Sequence, residues 1–320
     1  MKKYIFHTLI LFAALTLAAC SSDDGESQQK IPIERKQNPY IVNQGKGTSG
    51  NTNQNATGVN ELDSRLEIPR IIGGEDHYVL IYNVDKYGVN YVIEWDNGKR
   101  AQRWTAYQMY AGNSGKSWNR NNWTSTEWGG DPFQIDPYLP KDVRTELSDY
   151  QGSGYTRGHI IPSADRLNSK DANEQTYYLS NMHPQKWAFN GAPGVWGNME
   201  NFLRANWNQN DFRDVLYVVK GGTIRDDQIK EFKGKLLVPQ YFFMAAVCKK
   251  GNTYKGIGFW ADHDTPQLST TTAQSNQLKN CMITIDELET KTGIDFFCNL
   301  PDNTENIIES ELDRSFWKVQ

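Results

Sequence analysis

The sequence predicts a mixed α+β fold with a central, mostly antiparallel sheet and flanking helices. Two stretches near the start, residues 77–97 and 103–111, are rich in β-branched and aromatic residues and are interrupted by turn-forming residues, which is typical of strands. Three later stretches, residues 214–224, 241–250 and 255–262, have the same composition. Helical patterns lie between and after these strands, and the sequence contains no visible repeat.

Two segments predict helices. In residues 196–207 the apolar side chains recur at helical spacing and fall on one side: Trp196, Met199, Phe202 and Leu203. In residues 284–297, Thr284 is placed to cap the start of a helix and Gly293 to end it. The residues after Gly293 predict a further strand.

The N-terminus, "MKKYIFHTLILFAALTLAAC", has two lysines, a short apolar run and then Leu-Ala-Ala-Cys. This pattern predicts a lipoprotein signal peptide over residues 1–20, with Cys20 as the acylated first residue of the mature protein. The alternatives are a plain signal peptide with a chance cysteine and a buried apolar helix. The run is short for a transmembrane span. We therefore expect an exported lipoprotein, anchored to a membrane and facing the periplasm or the cell exterior.

Residues 21–65 are polar, rich in Gly, Asn and Ser and poor in aromatic residues. Such a composition cannot bury enough apolar surface to fold, so we expect a disordered tether. Residues 66–320 then form the folded part, and roughly 250 residues are within the range of one large domain.

The charge balance excludes a protein that is basic overall. Removal of residues 1–20 leaves 32 basic and 38 acidic side chains, a net charge of −6, so any phosphate-binding surface must be local. An oxidising compartment permits one disulfide among Cys248, Cys281 and Cys298 and leaves one thiol over. These cysteines form no CxxC pair, which argues against a structural zinc site.

The stretch "GYTRGHIIPSADR", residues 154–166, has the composition of a catalytic segment. His159 titrates near neutral pH and can take a proton from water. Arg157, two residues earlier in an extended strand, lies on the same side and can hold a phosphate. Gly158 removes a side chain between them, which predicts close approach of a phosphate backbone. The combination favours phosphodiester hydrolysis.

A second stretch, "LSNMHPQKWAFNGAPGVWGNMEN", runs from residue 179 to residue 201. Asn190 lies in a Gly/Pro-rich loop, and its amide oxygen is a neutral ligand that suits Mg²⁺. Glu200 lies on the predicted helix that follows, where it can orient a water molecule or a basic side chain. Taken alone, an asparagine in a loop is more often a turn residue.

These motifs resemble the DNA/RNA non-specific endonucleases with a ββα-metal site, the family that includes mitochondrial endonuclease G. The resemblance runs from about residue 78 to residue 317. It is carried by several motifs in order: Thr156-Arg157-Gly158-His159, Ser180-Asn181-Met182-His183-Pro184-Gln185, Asn190, Trp196 and Met199-Glu200. Val238-Pro239 and the segment 286–297 add to it.

The resemblance implies a ββα-metal active-site motif with His159 as general base. It also implies Asn190 as the sole direct protein ligand of Mg²⁺, with Mn²⁺ as an alternative ion. Arg157 is then a phosphate contact, and Glu200 acts on the water around the ion. The family's upstream arginine matches Arg120, which precedes Trp123 and Asp131-Pro132. The competing Arg103 lies in a strand, which favours a structural role.

The chain departs from the family pattern at two places. Thr156 replaces the usual aspartate, and its hydroxyl can form hydrogen bonds but brings no charge, which predicts an altered metal affinity. The insert "GAPGV" lengthens the interval between Asn190 and Glu200. Of the other histidines of the domain, His183 lies within the Asn-Met-x-Pro-Gln motif at a position that varies in the family, and His77 and His263 have no partner motif. We expect structural or surface roles for them.

The sequence therefore predicts a lipid-anchored nuclease that hydrolyses DNA and RNA with Mg²⁺, and the resemblance implies products with 5′-phosphate and 3′-hydroxyl ends. Two alternatives stay open. One is a catalytically silent surface lipoprotein that keeps the fold for binding. The other is a phosphodiesterase for a specialised small substrate, which the net negative charge favours.

Overall fold

The computed structural model describes residues 47–55, 62, 65–123 and 131–319. The predicted signal peptide, Cys20 and most of the predicted tether lie outside the described residues. Within the described ranges, no helix has the length and apolar character needed to cross a membrane.

Eleven strands are formed by the described residues: β1 (His77–Val84), β2 (Gly88–Asp96), β3 (Ala101–Tyr110), β4 (Thr156–His159), β5 (Met182–Gln185), β6 (Val215–Gly222), β7 (Ile229–Lys233), β8 (Leu236–Pro239), β9 (Tyr241–Lys250), β10 (Thr253–Asp262) and β11 (Met282–Ile283). Seven of them form one sheet in the order β1-β2-β3-β6-β9-β10-β11, and each neighbouring pair is antiparallel. β4 pairs with β5, and β7 with β8. The predicted antiparallel sheet is confirmed.

The helices are α1 (Lys170–Gln175), α2 (Trp187–Asn190), α3 (Val195–Phe202), α4 (Thr271–Asn280), α5 (Ile285–Thr292) and α6 (Asp302–Ser310). A π-helical turn, Leu203–Trp207, continues α3. The helix predicted over residues 196–207 is present, and Trp196, Met199 and Leu203 are buried on its inner side. The fold is therefore α+β, as predicted.

Both faces of the central sheet are apolar, because side chains alternate along each strand. In β9, Phe242 and Met244 enter one hydrophobic cluster, whereas Phe243 and Ala245 enter the other. The first face packs against the segment after β4 and against α2 and α3. The second face packs against α5, α6 and residues 66–71. The sheet is thus the middle of three layers.

The predicted helix ends on α5 are present, but the strand predicted after Gly293 is wrong. Thr284 Oγ1 accepts a hydrogen bond from Glu287 N at 3.1 Å, and Gly293 adopts a left-handed conformation with φ 68°. The described residues beyond it, 294–319, form no strand. The N–H of Phe296 donates to the Glu289 side chain at 2.6 Å, and Phe297 turns the chain with φ 54°. Because a side chain takes the N–H of Phe296 and the chain turns at Phe297, residues 294–297 do not offer a continuous edge to a neighbouring strand.

Part of the predicted tether packs on the domain. Asn51 Nδ2 donates to Leu300 O at 2.8 Å, and Asn53 Nδ2 donates to Glu305 Oε1 at 2.9 Å. Asn55 is buried and donates to Pro69 O at 3.0 Å. The predicted boundary at residue 66 therefore leaves out residues 47–55. Composition did not reveal this, because these asparagines attach by hydrogen bonds and not by apolar burial.

The permitted disulfide is not formed, because Cys248, Cys281 and Cys298 are all free. Cys248 is buried on the first face of the sheet. Cys298 is buried beside Asn55, whose Nδ2 lies 3.3 Å from its Sγ. Burial raises the pKa of the Cys248 thiol to about 12, so this thiol is protonated and unreactive at neutral pH.

We expect Gly256→Ala to destabilise the layer formed by α6. A Cβ at this position of β10 would lie 2.3 Å from the backbone oxygen of Ile308, so helix and strand must separate. The free energy of unfolding should fall by about 1–3 kcal/mol, measured by denaturant titration. Gly115→Ala is the control, since its Cβ meets nothing within 4 Å. Equal stability of the two variants would contradict this packing.

Candidate active site

The end of β4 is fixed by one buried asparagine. Ile160 N donates to Asn181 O at 3.0 Å, and Ile161 N donates to Asn181 Oδ1 at 3.0 Å. Asn181 Nδ2 returns a bond to Ile161 O at 3.0 Å. Because these bonds hold the two residues that follow His159, Asn181 determines where β4 presents its side chains.

His159 and Arg157 lie on the same side of β4, as their spacing predicts. The Arg157 guanidinium stacks on the Phe133 ring at 4.0 Å from its centroid. The His159 ring lies 5.3 Å from the same ring and meets Tyr177 edge-on at 5.2 Å. Aromatic packing therefore limits the orientations of both side chains.

Gly158 does not have the predicted role. A Cβ here would lie 2.2 Å from Cδ of Gln185, which is fully buried. The glycine therefore admits the Gln185 side chain of β5, and the expected approach of a phosphate backbone at this position is wrong.

The imidazole of His159 is neutral at physiological pH. The side chain is half-buried, and its Nε2 is buried with no hydrogen-bond partner among the described residues. Burial, followed by the positive charges of Arg120 and Arg157, lowers the pKa of His159 to about 3. All three causes disfavour the imidazolium form.

Arg120 reaches the segment that follows His159, and its positive charge lowers the pKa of His159. It is exposed, at the start of the turn Arg120–Asn122, and its Nη1 donates to Ser163 Oγ at 3.0 Å. Arg157 forms an ion pair with Asp131. The competing Arg103 instead binds Glu94 at 2.7 Å, among residues that pack the second face, which is the structural role expected of it.

Asn190 is oriented by Thr156. Asn190 Nδ2 donates to Thr156 Oγ1 at 3.3 Å, and Thr156 Oγ1 donates to Gln185 O at 2.8 Å. The Asn190 Oδ1 atom receives no hydrogen bond from any described residue. The amide therefore holds its nitrogen against β4 and keeps its oxygen available as a ligand atom.

Helix α3 packs tightly against both motifs. Trp196 is fully buried, and its Nε1 donates to His159 O at 3.4 Å. A Cβ on Gly197 would lie 2.8 Å from Asn190 O, so the helix can approach α2 only with glycine there. The two contacts bring His159, Asn190 and the helix that carries Glu200 together.

Glu200 pairs with a lysine that sequence reasoning missed. Lys220 Nζ lies 3.2 Å from Glu200 Oε1, and the Lys220 side chain is completely buried. Burial raises the pKa of Glu200, and the charges of Lys220 and Arg204 act in the opposite direction. Arg204, also missed, pairs with Asp165 at 2.9 Å. The signal for Lys220 was a lysine inside the apolar strand VLYVVKGG.

His263 also has a positional role that the sequence did not indicate. Its Nδ1 donates to Pro239 O at 2.9 Å, and its Nε2 accepts from Lys186 N at 2.9 Å. Burial lowers the pKa of His263 to about 4, which keeps Nε2 free to accept. Lys186 immediately precedes α2, so His263 fixes the start of the turn that carries Asn190.

The two remaining histidines of the domain have structural surroundings. His183 is buried on β5, and His77 pairs with Asp96 at 3.6 Å.

A polar cavity of about 350 Å³ lies next to Arg204. Its walls include three basic side chains, Lys116, Arg204 and Arg213, and one carboxylate, Asp165. Arg213 is buried and hydrogen-bonded to neutral groups, including Asn208 Oδ1 at 2.6 Å. Positive charge is therefore concentrated locally in a chain that is acidic overall.

Comparison with known proteins matches this arrangement to a family. The model of the DNA/RNA non-specific endonuclease family matches residues 80–303. A nuclease of Nostoc sp. is 31% identical over 243 residues, covering 74% of this chain and 80% of the relative. A nuclease of Cunninghamella echinulata is 28% identical, covering 67% and 83%. The mitochondrial nuclease EXOG of Xenopus laevis is 28% identical, covering 66% of this chain and 58% of its own length.

A solved structure described as the EndoG/EndoGI complex has the same fold. The TM-score is 0.55 at 20% identity, and the alignment covers 69% of this chain and 86% of that one. The resemblance seen in the motifs is thus confirmed over most of the domain. The chain belongs to the DNA/RNA non-specific endonuclease family.

Proposed function

We propose that this protein is a metal-dependent nuclease that hydrolyses phosphodiester bonds in DNA and RNA, with His159 as general base. The observation that carries the proposal is that Arg157 and His159 share one side of β4, that Asn190 bonds to Thr156 of the same strand, and that the helix carrying Glu200 packs against both motifs. Trp196 and Gly197 hold these elements in contact. Membership of the endonuclease family supports the same reaction class.

The donor groups fit a hard divalent cation. Asn190 offers an amide oxygen that no described residue occupies, and Glu200, on the neighbouring helix, would act on the water around the ion. Oxygen ligands of this kind suit Mg²⁺, with Mn²⁺ as an alternative, and a site with few protein ligands leaves room for water and phosphate oxygens. When bound, such an ion supplies Lewis-acid stabilisation of negative charge on the phosphate.

The residues of this chain divide the remaining tasks. His159, held neutral, accepts a proton from the attacking water. Arg157 and Arg120, whose charges both act on His159, hold the phosphodiester and offset negative charge that develops there. A bound phosphate offsets the two arginine charges in turn, so it raises the pKa of His159 and makes the imidazole a better base.

The alternatives are less well supported. A silent binding protein needs neither a half-buried neutral histidine nor an orienting hydrogen bond on Asn190. The basic cavity around Arg204 supports contact with a polymer beyond the scissile phosphate, which a small phosphodiesterase substrate does not require. Salt dependence distinguishes a polymeric substrate from a small one, because affinity for a polyanion falls steeply as the salt concentration rises.

We also propose that the protein is an exported lipoprotein anchored through Cys20, on the periplasmic side or at the cell surface. The support is the N-terminal sequence, with its lysines, apolar run and Leu-Ala-Ala-Cys. The mature chain is then held near a membrane while the domain acts on nucleic acid outside the cytoplasm.

His159→Ala should lower the turnover number by about 10²–10⁴-fold, the usual contribution of a general base. The measurement is hydrolysis of plasmid DNA and of RNA in Mg²⁺ and in chelator, with thermal unfolding as a check on folding. His77→Ala is the matched control, since His77 lies on β1 and pairs with Asp96. Wild-type turnover in His159→Ala would refute the assignment.

Asn190→Ala should raise the Mg²⁺ concentration needed for half-maximal activity and lower the rate. Thr156→Val should have a smaller effect in the same direction, because it keeps the shape but removes the acceptor that orients Asn190. Thr156→Ser restores the hydroxyl and should restore the wild-type requirement. The measurement is a metal titration of activity for each variant. If Asn190→Ala needs the same Mg²⁺ concentration as the wild type for half-maximal activity, the metal ligand lies elsewhere.

Arg120→Gln should shift the pH profile of kcat/KM. Removal of a positive charge beside His159 favours the imidazolium, so the pKa of His159 rises and the acidic limb moves to higher pH. Arg225→Gln is the control, because Arg225 is a surface residue paired with Asp227. If the acidic limb of Arg120→Gln lies at the same pH as that of the wild type, the charge of Arg120 does not act on the pKa of His159.

Cys20→Ser should prevent acylation and release the protein from the membrane or leave its signal peptide uncleaved. Fractionation of cells and mass spectrometry of the mature N-terminus measure both results. Wild-type protein found in the soluble fraction, cleaved before a residue other than Cys20, would contradict the anchor.

A further inference from the structure

Three carboxylates converge on the face of the sheet opposite the candidate active site. Asp286 and Glu289 come from α5, and Glu309 comes from α6. One carboxylate oxygen of each residue lies within 4.8 Å of one from each of the others. Asp286 and Glu289 are three residues apart on one helix and so share a side, which they turn towards Glu309 of the neighbouring helix.

Glu309 lacks the partners that a buried carboxylate needs. The residue is 6% exposed, and its Oε1 is buried without a hydrogen-bond partner among the residues that the structure describes. Burial of an oxygen without a donor is costly. Its environment among two other carboxylates makes that cost larger, because like charges at this distance repel.

No positive side chain of the described residues neutralises the group. None of the three carboxylates forms an ion pair with a described lysine, arginine or histidine. Lys291, on the same helix α5, instead pairs with Glu287 at 3.6 Å. The donor found for Glu289 is the N–H of Phe296, at 2.6 Å. Two further acidic residues nearby, Asp295 and Glu305, share the amide of Asn53 and deepen the negative potential.

We propose that Asp286, Glu289 and Glu309 form a binding site for a hard divalent cation of the size of Ca²⁺. Calcium binds oxygens at about 2.3–2.6 Å in flexible geometry, whereas magnesium demands near-octahedral geometry and usually keeps several waters. Three carboxylates from two helices therefore suit calcium better than magnesium. The cation provides the partner that Glu309 lacks.

The position of the site assigns it a structural role. Glu309 follows Ile308, which packs α6 onto Gly256 of β10, and Ile285 and Leu288 pack α5 on the same face. A cation between Glu309 and the α5 carboxylates therefore joins the two helices that cover the second face. This site is independent of the proposed function, because it shares no residue with the candidate active site.

The test is thermal unfolding of the purified protein in chelator and in increasing Ca²⁺. Calcium should raise the Tm of the wild type by roughly 2–5 °C once it exceeds the dissociation constant by about tenfold or more. Glu309→Gln should lose this shift, while its Tm in chelator stays at or above that of the wild type, since a repelling charge is removed. Asp286→Asn, at an exposed position, should weaken the shift without endangering folding.

Two controls assign the shift to this site. Glu287→Gln makes the same change on the same helix outside the cluster and should keep the wild-type response. Asn190→Ala should also keep it, because that residue belongs to the other face. A wild-type Tm equal in calcium and chelator overturns the proposal. So does a shift that persists in both Glu309→Gln and Asp286→Asn, or one that disappears in Asn190→Ala.

Discussion

The packing of Trp196 is the contact on which the candidate active site depends. The indole is fully buried, and its N–H donates to His159 O at the end of β4. Its ring lies 6.0 Å from Phe189 of α2 and 5.4 Å from Phe242 of β9, with Lys220 Nζ 5.3 Å above it. One side chain therefore connects β4, α2, α3 and the central sheet. Burial of so large a group stabilises the assembly, and the direction of its N–H sets the register of helix against strand.

The electrostatic arrangement follows from this packing. Lys220 is drawn completely out of solvent on β6, where an unpaired charge would be strongly destabilising. Glu200 projects from α3 to meet it at 3.2 Å. Arg204, one helical turn further along, binds Asp165, and Arg157 binds Asp131. Arg120 instead donates to the neutral hydroxyl of Ser163, and no described carboxylate pairs with it. The site therefore keeps a local positive charge in a chain that carries a net negative charge.

The sequence was sufficient for those features that depend on local pattern. Stretches rich in β-branched and aromatic residues identified the strands, and the Thr284 and Gly293 signals identified the ends of α5. The motifs carried His159, Arg157, Asn190 and Glu200 as a group, because family motifs preserve order along the chain. The strand after Gly293 was wrong because a side chain, Glu289, takes the backbone donor there. That competition is tertiary and leaves no periodicity in the sequence.

Contacts between distant segments explain the other differences. Gly158 appeared to leave room for substrate, yet Gln185 of β5 fills that room. Asn51, Asn53 and Asn55 appeared to belong to a tether, yet they bond to groups some 240 residues away or across a loop. His263 had no neighbouring motif, although it holds Lys186 at the start of α2. In each case the partner is adjacent in space and remote in sequence.

The replacement of the family's aspartate by Thr156 shows how such a contact can preserve a site. An aspartate at this position can accept a hydrogen bond from the Asn190 amide and also adds a negative charge. The threonine keeps the acceptor, since Asn190 Nδ2 donates to its hydroxyl, and it fixes that hydroxyl by donation to Gln185 O. The orientation of the Asn190 amide is therefore maintained while the charge is lost. If Asn190 binds the metal as proposed, less negative charge at β4 weakens the attraction for a cation and strengthens that for a phosphate, while the geometry of Asn190 stays the same.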